Sequence, residues 1–278
     1  GKFIFFGPDR TAHGFSRVKI LNISDYLILG TNTVCIEVCG YNVNGYGQIN
    51  EPSFLQAEIM EDNKQIKFSS ATNKHFVAYH LPQRIQKVQR YSFQRAFAEA
   101  YRLNANSNDW QIANSTLPTY PLEEAPTLKL LDCTSPTPDF TLEGIESFME
   151  AGKIETFENP KPLYRARELV KISNEFLGFT LDQLEILLTD LLHPLQTVVV
   201  KSMGAKESTR ISLKTNEYAL WKMKKNYSGF ISYNISVKTK SIVAVTYDEI
   251  LTDGKINHSR GSTCNILYHE LEPGDYKI

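Results

Sequence analysis

Apolar and polar residues alternate with a period of two over much of the chain, which is the mark of half-buried strands. The pattern is sharpest between Leu29 and Met60. A turn, Leu29-Gly30-Thr31-Asn32, opens it, with Gly30 and Asn32 tolerating the backbone angles of a tight turn. Val34, Ile36 and Val38 then oppose Thr33, Cys35, Glu37 and Cys39. A loop over 40–53 follows, holding three Gly, three Asn, two Tyr and one Gln. The second run sets Leu55, Ala57 and Ile59 against Phe54, Gln56, Glu58 and Met60. Strand, long polar-aromatic loop and strand is how a β-sandwich carries a recognition surface.

The same period predicts strands over 15–23, 65–68, 76–80 and 88–103. The last of these is ambiguous, because Phe93, Phe97 and Tyr101 also recur at helical spacing and three alanines favour a helix. Its aromatic residues fall on one parity, which decides for a strand. Arg95 and Glu99 share that face, as a buried ion pair or as the strand's solvated ends; the pair is the reading taken. From 104 to 162 prolines punctuate the chain, predicting a connector with short strands only, near 127–131 and 153–156. Thr180 and Gln183 form a capping box ahead of Leu181, Leu184, Leu187, Leu188, Leu191 and Leu192, predicting a helix over 181–192 that Pro194 ends. A preceding helix is predicted near 165–176. Short strands return over 197–200, 208–213, 218–223, 229–237, 241–247 and 264–268, with Asp253-Gly254 as a hairpin turn.

The expected fold is therefore mainly β: two antiparallel β-sandwich domains, 1–103 and 196–278, joined by a proline-rich connector, 104–195, with a short helical pair. Phe3 to Phe6 reads as the second arm of a hairpin, and the chain stops shortly after Pro273-Gly274. Both sandwiches are thus expected to be incomplete, at their outer ends, in a piece of a longer protein.

Composition narrows the partners. At 278 residues the chain can bury two or three cores. A net charge of −1 with 22% charged residues suggests neither nucleic acid nor an anionic membrane as partner. No apolar run reaches the roughly 18 residues of a membrane span. Aromatic residues, 11% of the chain, suit strands and sugar-facing surfaces alike. Cys35 and Cys39 lie about 13 Å apart along one strand face at roughly 3.3 Å per residue, beyond disulfide reach. A zinc site would need a second Cys/His pair at zinc spacing, and none accompanies them. They read as buried thiols.

Motifs for a nucleophile elbow, phosphate loop, HExxH zinc site, dinucleotide fingerprint or EF-hand are absent. Asp248 and Glu249 are adjacent on a strand and so point to opposite faces, which prevents them from sharing one bond as acid and base. Glu249 is expected to pair with Arg260 across the hairpin instead. Asp9, Arg10 and His13 crowd one loop, either as ligand contacts or as a salt bridge holding the turn, the second being the reading taken. Tyr41, Asn44, Tyr46 and Gln48 are the candidates for sugar contact: tyrosine rings stack on sugar C–H faces, and amides read hydroxyls as donors and acceptors.

The ordered set of motifs resembles a known family. Residues 1–10, with Leu29, Asn32 (within the turn), Val34, Ile36 and Val38, are similar to the galactose-binding-like, jelly-roll sandwich of glycoside hydrolases. Tyr91-Ser-Phe-Gln-Arg95 with Glu99 and Tyr101, and the run from Gly229-Phe-Ile through Tyr247-Asp-Glu-Ile-Leu251, Asp253-Gly254-Lys255 and Arg260, narrow the likeness. Together they resemble the N-terminal modules of bacterial α-L-rhamnosidases, glycoside hydrolase family 78. The resemblance implies an inverting hydrolase of terminal α-L-rhamnosyl residues, periplasmic or secreted. Its catalytic carboxylates would lie in a helical barrel domain outside these residues, so no catalytic residue is assigned. Some members bind rhamnose through a calcium-dependent module, whose ligands match no positions here; no metal residue and no cofactor are assigned. The implied partners are the helical catalytic domain of the same polypeptide and carbohydrate. A carbohydrate-binding or adhesion module with no enzyme attached is the rival expectation.

Overall fold

A computed structural model describes residues 1–62, 64–71, 75–112, 115–125, 128–157, 176, 178–202 and 210–278, the side chains of 201 and 202 excepted. In chain order the described strands are β1 (Phe15–Val18), β2 (Glu58–Met60), β3 (Ile66–Ser69), β4 (Ala78–Tyr79), β5 (Arg90–Ser92), β6 (Arg95–Phe97), β7 (Glu99–Leu103) and β8 (Thr119–Tyr120). They continue with β9 (Lys129–Asp132), β10 (Ile145–Thr156), β11 (Leu195–Ser202), β12 (Glu217–Met223), β13 (Asn234–Val237), β14 (Ser241–Thr246), β15 (Ile266–Leu271) and β16 (Gly274–Lys277). One α-helix, α1 (Leu188–Leu192), stands among the described residues. The chain is mainly β, as the alternation implies.

The ladders form small sheets of two or three strands. Most are antiparallel, but β1 pairs with β9 and β7 with β15 in parallel, which an all-antiparallel reading does not anticipate. The sheet β14-β15-β7 joins residues 99–103 to 266–271, so one sheet draws on the middle and last thirds of the chain. Residues 83–85 run along the other side of β7, through Ile85 N–H to Ala100 O at 2.9 Å and Arg102 N–H to Gln83 O at 2.7 Å.

This region holds the core. Ile85, Val88, Ala98, Ala100, Leu188, Cys264, Ile266 and Tyr268 bury together, with Phe97, Ile186, Leu192 and Ala244 packed against them. The 88–103 stretch is strand, as its aromatic parity indicates, broken by a tight turn between β5 and β6. Yet the fully buried parity is the other one, Ala96, Ala98 and Ala100, while the aromatic parity is half-buried. Small side chains there let the neighbouring segments approach closely.

The predicted strands over 15–23, 54–60, 76–80 and 229–237 are shorter than expected, and three elements differ in kind. Residues 33–39 belong to no ladder; Val34, Ile36, Val38, Cys35 and Cys39 are all exposed, so the two thiols are not buried. Alternation encodes a strand only where a neighbour accepts the backbone bonds, and no described segment pairs with this one. The turn before it does form: Asn32 receives Ile28 N–H and donates to Ile28 O and Gly30 O. Second, β10 is a 12-residue strand inside the predicted connector. It is proline-free, and Gly152 sits at its register shift, where an added Cβ would collide with the Val198 carbonyl of β11. Third, the leucine helix is interrupted. Gln183 does reach back to Thr180 N–H at 2.9 Å, completing that half of the capping box. Glu185 and Ile186 then donate their N–H groups to Lys87 O, drawing the chain into a bridge with Val88. The helix forms only from Leu188, where the Gln89 side chain receives Thr189 N–H at 2.9 Å. Tertiary hydrogen bonds here outweigh helix propagation. The predicted helix near 165–176, apart from Phe176, and part of the 208–213 strand lie outside the described residues.

Leu188 is 0% exposed and Leu181 64%, so the leucine stripe is not one face. Leu188→Ala is expected to cost about 2–5 kcal/mol of unfolding free energy, and Leu181→Ala no more than about 0.5 kcal/mol. Urea titration of both variants checks this; equal losses would contradict the interrupted helix.

Candidate functional site

The loop carrying the sugar-contact candidates is organised from beneath by Arg90, 2% exposed. Its guanidinium donates to Ser92 O (3.2 Å) and Arg95 O (2.9 Å) within the β5–β6 hairpin, to Asn44 O (2.7 Å) and to Phe176 O (2.6 Å). Above it, Gly45 and Gln48 close a two-residue turn with Tyr46 and Gly47 at its tip. Tyr46 N–H donates to Gln94 O at 3.0 Å, pinning the tip to the hairpin.

The four candidates do not share one role. Asn44 Oδ1 accepts Asn50 N–H at 2.7 Å, and Gln48 Nε2 donates to Val43 O at 2.9 Å, so both amides hold the loop itself. Tyr46 is 68% exposed, its ring set edge-on against Phe93 (5.5 Å between centroids) and Phe176 (6.3 Å). Tyr41 belongs to a different cluster.

That cluster lies along β7. Arg84 Nη2 meets Glu99 Oε1 at 2.8 Å and Nη1 meets Tyr101 OH at 3.0 Å, with Arg84 Nη2 at 3.4 Å from Tyr41 OH. The guanidinium also lies over both rings, 5.4 Å from Tyr41 and 5.5 Å from Tyr101. Glu99 is therefore an ion-pair residue as expected, but its partner is Arg84. Arg95 instead lies over Tyr91, 5.4 Å from the ring centre. Side chains on one face of a strand run compete with neighbours from the adjoining segment, and Arg84 sits opposite Tyr101 across a bridge. Burial pushes the Tyr41 and Tyr101 phenols up, and the Glu99 carboxylate pushes both further. His269, on β15, stacks on Tyr101 (5.8 Å, 10°) and meets Tyr233 OH through Nδ1 at 2.9 Å. Burial pulls its imidazole down to about 4, with Glu99 opposing. Nothing in the pattern of β15 marks this histidine, which occupies an ordinary core position.

At the second predicted pair, Asp248 takes the place of Glu249. Arg260 Nε donates to both Asp248 oxygens (2.8 and 2.9 Å) and Nη2 to Oδ2 (2.8 Å), Thr252 Oγ1 (2.6 Å) and Ile250 O (3.2 Å). Asp248 also accepts the N–H groups of Glu249 and Asn257, and only 1% of its side chain is exposed. The bond from Arg260 chiefly holds its carboxyl below the usual range. Neither acid lies in a strand, since β14 ends at Thr246; both sit in the loop that follows it, where the shorter acid is the one that meets the arginine. The turn it braces is the expected hairpin, with Asp253 and Gly254 at φ of 49° and 75° and paired bonds between Thr252 and Lys255.

In the 9–13 loop, His13 Nδ1 contacts the Glu51 carboxylate of the sugar-candidate loop, so this contact ties two loops together. Asp9 receives a weak bond from the Cys133 thiol at 3.5 Å. Arg10 packs against Gly47. Among the described residues no group of three or more His, Cys, Asp or Glu side chains is placed to hold a metal ion. No helix among them is long and apolar enough to cross a membrane.

No protein-family model, curated protein or solved structure matches this chain.

Asp248→Asn is expected to lower stability by about 2 kcal/mol, the scale of a charge-assisted hydrogen bond, and Glu249→Gln by no more than about 0.5 kcal/mol. Chemical denaturation of the two variants distinguishes this from the Glu249 pairing, which reverses the order. The histidine generates a pH prediction. His269 is pulled down to about 4 in the fold from an ordinary 6.5, so the unfolded chain takes up the proton first. Its contribution is full above pH 6.5 and is lost as pH falls toward 4. His258, lowered by burial, acts in the same direction. Unfolding free energies of wild type and His269→Gln should converge as pH falls through that window; a constant gap would contradict the burial of a neutral imidazole.

Proposed function

We propose that this chain is the non-catalytic, β-sandwich front part of an α-L-rhamnosidase-like glycoside hydrolase, in which modules over 1–103 and 196–278 flank a connector. In this reading it supports a helical catalytic domain of the same polypeptide and adds a carbohydrate contact through Tyr46. The parent enzyme, periplasmic or secreted, removes terminal α-L-rhamnosyl residues.

The observation that carries the scaffold role is where the polar groups go. Two part-buried acid–base pairs, Asp248–Arg260 and Glu99–Arg84, are closed on themselves as structural clamps. A reaction centre needs an acid and a base aimed at a shared space. Meanwhile large apolar side chains face outward. Phe3, Phe6 and Phe230 form an exposed aromatic group, Phe3 and Phe6 each lying edge-on to Phe230. Exposed aromatic clusters of this kind are the surfaces that neighbouring domains cover. The ordered motifs at 91–101 and 247–260, which resemble that family's N-terminal modules, support this choice of parent. A stand-alone carbohydrate-binding module is the second reading, favoured by the outward Tyr46 ring.

The reading frame past Ile278 and an aryl α-L-rhamnoside test this. The expected result is a long helical region with acidic residues, hydrolysis by the whole polypeptide with inversion, and no turnover by residues 1–278 alone. Turnover by the 278-residue chain, or a stop codon after Ile278, would overturn the proposal.

A further inference from the structure

The tip of the Tyr46 turn combines two features that no structural role absorbs. The first is a rigid, outward aromatic ring. Tyr46 is 68% exposed, yet its orientation is set by Phe93 and Phe176 and its backbone by Gln94, over the buried Arg90. Little conformational freedom remains to be lost when a ligand stacks on it.

The second is an unpaired cation beside it. The Arg10 guanidinium is exposed and makes no ion pair or side-chain hydrogen bond with any described residue. It lies against Gly47, the residue next to Tyr46, where an added Cβ would collide with Nη1 and Cζ. Packing against bare backbone therefore holds the charge at the tip. The carboxylates of the loop pair are engaged elsewhere, Glu51 by His13 and Asp9 by the Cys133 thiol.

The neighbouring amides sharpen what such a tip can recognise. A neutral sugar is read through amide donors and acceptors aimed at its hydroxyls. Asn44 turns its Oδ1 to Asn50 N–H and Gln48 its Nε2 to Val43 O, so half of each amide is held by the loop. What the tip adds beyond them is one π face and one planar cationic fork. A pyranose ring carrying a carboxylate matches both: its C–H face stacks on tyrosine, and the carboxylate accepts two parallel bonds from arginine.

We propose that Arg10, Tyr46 and the Gly47 backbone form a binding site for a uronic acid residue of a glycan. This rests on the carbohydrate-contact half of the reading above and not on the parent hydrolase. It makes the contact selective for acidic over neutral sugar.

Titration of the 278-residue chain with methyl glucuronide and methyl glucoside at low ionic strength, followed by chemical shifts of the 45–48 amides, tests it. The glucuronide is expected to bind about five- to tenfold more tightly, about 1–1.4 kcal/mol, with the preference shrinking in about 1 M salt. Arg10→Gln is expected to abolish the preference, and Gly47→Ala, which displaces the guanidinium while keeping its charge, to reduce it sharply. Tyr46→Ala is expected to weaken both sugars. Equal binding of the two sugars, or a preference that survives Arg10→Gln, overturns the carboxylate site and leaves the carbohydrate contact standing. Binding of neither sugar overturns both.

Discussion

A guanidinium cannot be buried with its N–H groups unmet, and Arg90 makes that constraint the organising fact of this chain. Stripping an ion of water costs several kcal/mol unless each donor finds an acceptor. Its acceptors come from three separate segments: the β5–β6 hairpin, the loop at Asn44 and the chain at Phe176. Each carbonyl is presented by backbone, so the loop geometry and the hairpin geometry must both be right at once. Gly45 and Gly178 clear room around the side chain: a Cβ on Gly178 would meet Arg90 Cγ at 2.8 Å, and one on Gly45 would meet Gln94 O at 2.9 Å. The turn bearing Tyr46 is therefore rigid for a reason that lies below it.

The same logic runs through the rest of the described structure. Gln89, immediately before β5, receives Thr189 N–H in the first turn of α1, beside the core residue Leu188. Arg84 meets Glu99 and Tyr101 across β7. Arg260 gathers a carboxylate, a hydroxyl and a carbonyl to brace the hairpin after β14. Long-range pairing of β7 with β15 then brings these clamps around one core. Among the described residues these polar groups fix geometry, while Phe3, Phe6, Tyr46 and Phe230 face outward and Arg10 lies exposed against Gly47.

How much of this was legible in the sequence depended on distance along the chain. Local chemistry could be read: the Asp253-Gly254 hairpin, the Asn32 turn, the Gln183 half of the capping box and the strand character of 88–103 all follow from neighbours in sequence. Partner choice could not. Alternation over 33–39 promises a strand but cannot supply the ladder that would make it one. The leucine stripe after Thr180 satisfies helical spacing, yet the Lys87 carbonyl, almost a hundred residues earlier, breaks the helix. Glu99 and Arg260 were recognisable as ion-pair residues, whereas Arg84 and Asp248 depend on which segment lies alongside. Arg90 left no signal at all, because its acceptors are carbonyls and every residue has one. In the candidate site the sequence placed Tyr46 at a loop tip, but the turning of Asn44 Oδ1 and Gln48 Nε2 into the loop, and the approach of Arg10 to Gly47, emerge only from the fold.

The dependence on Arg90 is most directly measured by native-state hydrogen exchange at the Tyr46 amide, which donates to Gln94 O, with Arg90→Met compared against wild type. Loss of the buried fork should release the loop, so exchange at Tyr46 should accelerate by tenfold or more, that is by about 1.4 kcal/mol of opening free energy or beyond. The amide of Arg102, bonded to Gln83 O on the far side of β7, should slow or quicken only with global stability. If the two amides respond equally, or if Tyr46 keeps its wild-type protection, the loop does not depend on Arg90.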